Sequence, residues 1–141
     1  MATNHPKAGP NSVPAYQLSG VPYVTSSAAS EAPATNTAYL IPVKHEFPYV
    51  TRFFQVECTN ASHGLRVGFS LSGSMGTNYF TVAADSKSDI YELRTKDLFF
   101  TSDTTTASSF RIIAGLTTIS RNEFPILTGS VNGTAGFEGI G

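Results

Sequence analysis

Downstream of residue 38, apolar and polar residues alternate with a period of two. In Leu65-Arg66-Val67-Gly68-Phe69-Ser70-Leu71 the odd positions are apolar and the even ones small or polar, which predicts a strand with one buried face. Phe54-Gln55-Val56-Glu57-Cys58 repeats the pattern and predicts Phe54, Val56 and Cys58 facing inward. Further strands are expected at Phe80–Ala84, at Ile90–Arg94 with Tyr91 and Leu93 buried, at Leu98–Phe100 and at Phe110–Leu116. Tyr39–Lys44 and Phe124–Leu127 each contain a proline, whose missing N–H suits an edge position.

Clusters of Gly, Asn, Asp, Ser and Thr separate these runs, at 59–64, 72–78, 84–89 and 101–109. Each type favours turns for its own reason: freedom of φ in glycine, side-chain bonds to the local backbone in the others. The Gly73-Ser74-Met75-Gly76 stretch is accordingly expected as a turn. No stretch of the body carries a helical i, i+3, i+4, i+7 stripe. About seven or eight short strands with regular turns predict an all-β antiparallel β-sandwich, best fitted by an eight-stranded single jelly roll. An immunoglobulin-like sandwich is the runner-up, without the Cys…Trp…Cys pattern, since the chain has no Trp and one Cys.

Residues 1–38 differ from 39–141. Only Lys7 and Glu31 are formally charged there, and all but one of the eight prolines fall before residue 50. Proline at this density excludes a helix or an interior strand. This stretch is expected to be an extended arm, and residues 39–141 the sandwich. Tyr16, Leu18, Val21, Tyr23 and Val24 are spaced apolar anchors on the arm. Ordering costs about 1–2 kcal/mol per residue in backbone entropy, more than so few anchors recover on the chain's own body. Two readings follow, a disordered tail or an arm whose anchors are held by neighbouring molecules.

Charge and chemistry narrow the picture. Charged residues make up 13% of the 141 residues and the net charge is −1, so bulk charge does not hold nucleic acid. No run is long and apolar enough to span a membrane, and the N-terminus lacks a signal-peptide core. The lone Cys58 excludes an internal disulfide or a cysteine zinc site. His5, His45 and His63 have no metal-ligand spacing. Asp85 and Asp89 share a loop with Lys87, a poor setting for calcium or for an acid–base pair. The sequons at Asn60 and Asn132 are read as chance matches in a Ser/Thr-rich chain. The terminal Gly136-Phe137-Glu138-Gly139-Ile140-Gly141 superficially suggests a dinucleotide loop but lacks a following helix. No catalytic residue, cofactor or metal site is expected, and the protein is read as not an enzyme. Tyr49, Phe53, Tyr79 and Phe99 are candidate outward aromatics, placed to be covered by an arm or a neighbour.

The segments Glu46-Phe47-Pro48-Tyr49-Val50-Thr51-Arg52-Phe53-Phe54-Gln55-Val56, Leu65–Ser70 and Asn78-Tyr79-Phe80-Thr81-Val82 resemble those of minor capsid or capsid-associated single jelly-roll proteins of viruses and phages. The resemblance is one of style over residues 40–130. It implies a virion subunit, assembled in a host cytoplasm, whose partners are copies of itself and other capsid proteins. The alternative is a glycan-binding receptor or fibre domain using Asn60, His63, Asn78 and Asp103. A third reading is a filament subunit whose arm donates a strand to the next copy.

Overall fold

The computed structural model describes residues 21–25, 31–32, 42–126 and 140. Its elements in chain order are β1 (Val21–Thr25), β2 (Glu31–Ala32), β3 (Val43–Glu46), β4 (Tyr49–Cys58), β5 (Leu65–Gly68), α1 (Leu71–Met75), β6 (Tyr79–Val82), β7 (Asp97–Ser102) and β8 (Ser108–Ser120), followed by a 3-10 turn at Arg121–Glu123. All strand pairs are antiparallel. They form two packed sheets, an all-β sandwich. In the first, β8 pairs with β1, β2 and β4; in the second the order is β3-β7-β5-β6.

The alternation seen in the sequence becomes the core. Phe54, Val56 and Cys58 of β4 and Phe110, Ile112, Ala114 and Leu116 of β8 point inward and are buried. They meet Leu65 and Val67 of β5, Val82 of β6, and Leu98 and Phe100 of β7. Phe100 and Phe110 join the two sheets by stacking at 3.9 Å between centroids and 12° between planes. A second aromatic group, Phe54, Phe69, Phe80 and Tyr91, fills the neighbouring part of the interior. Two register shifts in β4, between Tyr49 and Thr51 and between Thr51 and Phe53, break the alternation and leave both Val50 and Thr51 buried.

Several expectations are corrected. The odd-position strand does not reach Leu71: β5 stops at Gly68, and Ser70 caps a short helix by accepting from the Gly73 N–H. Leu71 is consequently exposed on α1. Gly68 explains why the helix fits, because a Cβ there would come within 3.0 Å of the Ser74 backbone.

Residues 90–94 form no strand. Segment 86–95 instead follows β4 through two isolated bridges, Phe54 to Tyr91 and Glu57 to Lys87. Backbone bonds such as those exchanged by Phe54 and Tyr91 are supplemented by side chains: the Ser88 hydroxyl accepts from Val56 N–H, and the Thr51 hydroxyl donates to the Leu93 carbonyl. Tyr91 packs inward as expected, but Leu93 is 45% exposed. Residues 124–126 likewise form no edge strand, since the turn at Arg121–Glu123 carries the chain off β8.

The largest correction concerns the arm. Residues 21–25 are β1, in register with β8 from Val21 opposite Leu116 to Thr25 opposite Ile112. Residues 31–32 pair with β8 as well. Because Ile113 pairs with Val24 on one side and Gln55 on the other, β1 and β4 flank β8. Pro22 thus sits in a strand beyond β8, where no further strand among the described residues needs its N–H. The ladder and the inward Tyr23 provide what a count of anchors omits, and this part of the stretch is held by its own body.

Candidate functional site

Without a convergent set of reactive side chains, the functional candidates are surfaces. Among the described residues no group of three or more His, Cys, Asp and Glu is placed to hold a metal, and no helix is long and apolar enough to cross a membrane.

One surface is the outer face of the first sheet. Outward positions on adjoining strands bring Val24 of β1, Ile113 of β8 and Gln55 of β4 into one row. Pro22, Gly115 and Phe53 make the next. Val24 is 64% exposed and Ile113 42% exposed, so two large apolar side chains stand exposed side by side on this face. A row further on, Glu57 and Arg111 pair across the strands at 3.6 Å and bound the patch with charge. Ile113 was missed by sequence reasoning, because its place inside Arg111-Ile112-Ile113-Ala114 reads as core.

The arm anchors divide. Val24 joins this patch. Val21 is 39% exposed at the sheet margin, while Tyr23 turns inward. Tyr23 spans the seam between the sheets: its hydroxyl lies 2.9 Å from His45 Nε2, and its ring packs edge-on against His45 and Phe47. Burial lowers the His45 pKa, opposed by the nearby Asp97 carboxylate, and the Tyr23 pKa is raised by burial. Tyr16 and Leu18 lie outside the described residues.

The outward aromatics also separate. Phe53 lies in the patch. Tyr79 and Phe99 flank Gly68 from opposite sides on the outer face of the second sheet, where α1 also lies. The Arg66 guanidinium sits 4.5 Å from the Tyr79 ring centre, a cation–π contact. Phe99 borders a small cavity of about 70 Å³ with Lys44, Thr95, Lys96, Asp97 and Ile126. Tyr49 stands apart at the start of β4, opposite Ser120.

A polar cluster closes one end of the sandwich. Arg121 donates through Nη1 to the Phe47 carbonyl at 2.7 Å and through Nη2 to Asp97 Oδ1 at 2.9 Å. Lys96 donates to the Phe124 carbonyl, and Lys44 pairs with Glu46 at 2.7 Å. The Lys44 ammonium holds the Glu46 carboxyl below the usual carboxylate range, and Glu46 in turn raises Lys44. These bonds tie the turn after β8 to β3 and β7.

Of the loop residues nominated for a glycan, Asn60, His63 and Asp103 gather at one end of β5. Asn60 Oδ1 accepts from the Ser62 and His63 N–H groups, His63 Nδ1 contacts the Thr104 hydroxyl, and the Asp103 N–H donates to Gly64. Asn60 Oδ1 and His63 Nδ1 are therefore occupied in shaping turns. Asn78 lies at the opposite end, beside Tyr79 in an open groove of about 360 Å³ with Thr77, Phe69 and Phe80. Cys58 is buried, with its thiol against the His63 carbonyl and Ser108 hydroxyl, a core position as expected.

Compared with known proteins, the chain matches no family model, no curated protein and no solved structure.

Proposed function

We propose that the protein is a virion structural subunit built on an eight-stranded single jelly roll. It is a minor capsid or capsid-associated protein that self-associates or cements a shell. The strand pairing carries this reading. Rolling up one long antiparallel hairpin pairs the first strand with the eighth, the second with the seventh, the third with the sixth and the fourth with the fifth. The pairings here follow that order when the two-residue β2 is left out and 86–91 is counted as the sixth strand: β1 with β8, β3 with β7, β4 with 86–91, and β5 with β6. The contacts of β4 with β8 and β5 with β7 are those that rolling adds.

In this reading β1 is the first strand of the roll, and the arm shortens to the residues before it. The Val24–Ile113 patch supplies apolar area for contacts between copies, each Å² worth about 25 cal/mol when covered. Symmetry repeats a modest contact many times in a shell. The partners are copies of the chain and other capsid proteins, and assembly takes place in the host cytoplasm.

Sedimentation and electron microscopy of the purified protein, alone and mixed with candidate shell proteins, test the proposal. Closed particles or incorporation into a shell are expected, and both should weaken when residues 1–20 are removed while the sandwich stays folded. A protein that remains monomeric in every mixture overturns it. The groove beside Asn78 and Tyr79 favours one second reading, a glycan-binding domain; specific glycan binding lost in Asn78→Ala and Tyr79→Ala would replace the first.

A further inference from the structure

The sequence pattern left Gly136–Gly141 without a role, yet Ile140 is placed against the body. Its carbonyl oxygen accepts a 2.7 Å hydrogen bond from the Ser70 hydroxyl. The same oxygen occupies the space a side chain would take on Gly73, where a Cβ would overlap it and would lie 3.0 Å from the Ile140 carbonyl carbon. Ile140 itself is half-buried. Gly73 is thus favoured by a close backbone approach, and a Cβ there would also come within 2.8 Å of the Ser70 hydroxyl that caps the helix.

Ser70 serves both contacts at once, accepting from the Gly73 N–H at 2.9 Å while donating to Ile140. The other end of the intervening chain starts nearby. Ile126 borders the small cavity that includes Phe69, the neighbour of Ser70 in sequence.

We propose that Ser70 and Gly73 form a seat for a peptide backbone carbonyl, and that its ligand is Ile140 of the same chain, held in cis as a latch. The seat recognises a neutral carbonyl through one hydroxyl donor and a position without a side chain. The glycines on either side of Ile140 in the sequence suit such a close approach. This inference rests on the seat alone and holds whether or not the protein assembles into a shell.

Nuclear magnetic resonance relaxation on the full-length chain tests it. Ile140 should be as rigid as β5, with an order parameter of about 0.85, and should fall below about 0.6 in Gly73→Ala while β4 and β8 keep their values. Ser70→Ala should release Ile140 in the same way and Ser70→Thr should retain it, so the seat can be read even if Gly73→Ala does not fold. Three results would overturn the proposal: a mobile Ile140 in the unaltered protein, a rigid one in both Gly73→Ala and Ser70→Ala, or rigidity only at concentrations where the chain dimerises.

Discussion

Tyr23 and His45 meet at 2.9 Å across the seam of the sandwich, one from the strand that leads into the body and the other from the second strand sheet. The contact joins two strands that are not paired with each other, and it places an ionisable ring in a half-buried setting. The Tyr23 O–H can donate to His45 Nε2 when that nitrogen is unprotonated, and burial favours the neutral ring.

Stability should therefore depend on the protonation of His45. Burial lowers its pKa in the folded protein, with Asp97 opposing. The unfolded chain takes up this proton first, so stability is full above the unfolded histidine value of about 6.5 and declines as pH falls from there through the folded value. Urea midpoints at pH 7.5 and pH 5.0 should differ more in the unaltered protein than in His45→Gln. Equal differences would remove His45 as the cause. The lowered Glu46 pKa adds a separate loss at more acid pH.

Phe110→Ala should be among the most damaging single substitutions. The ring is 1% exposed and stacks on Phe100 between the sheets, and truncating a buried Phe costs about 3–5 kcal/mol. Denaturant unfolding measures this directly. Ile113→Ala, three positions along the same strand but exposed on its outer face, should change stability by less than about 1 kcal/mol.

The difference between Phe110 and Ile113 also marks how much was legible in the sequence. Period-two alternation located β4, β5, β7 and β8 and the inward faces of the first two of these, because burial on one side of a strand writes itself into neighbouring residues. The joining of β1 to β8 is written between residues far apart, and Pro22 with its uncharged neighbours resembled an arm. Helix α1 has five residues, too few to show a helical period; Ser70 followed by Gly73 was its only local trace. Residues 86–95 kept an alternating pattern but lack a regular ladder, since the shifted register of β4 offers them only scattered partners. The candidate patch was half visible: Val24 and Phe53 were nominated, while Ile113 needed the register.

Arg121→Ala should loosen the closed end of the sandwich. The guanidinium bridges the Phe47 carbonyl and the Asp97 carboxylate. Hydrogen bonds to charged groups contribute about 1.5–3 kcal/mol, reduced here because the side chain is partly exposed, so a loss of about 1–2 kcal/mol is expected. Arg121→Lys should recover less than half of it, because a single ammonium cannot reproduce the two-pronged fork. A thermal melt comparing the three proteins decides between the bridge and a passive surface position.

Val24→Lys and Ile113→Lys separate assembly from folding. The two side chains face each other across β1 and β8 on the outer face, 64% and 42% exposed. Val24 lies on the edge strand β1, where lysine is tolerated and opposes edge-to-edge pairing, and Ile113 is exposed on the outer face of β8, so each isolated domain should stay within about 0.5 kcal/mol of the unaltered stability. If the patch is an interface, a charge buried there without a partner carries a penalty of several kcal/mol per contact, repeated at every symmetric copy. Assembly measured by sedimentation should then collapse while the unfolding midpoint barely moves. Retained assembly in both variants would shift the contact to another surface, and a parallel loss of stability would show that the patch belongs to the fold.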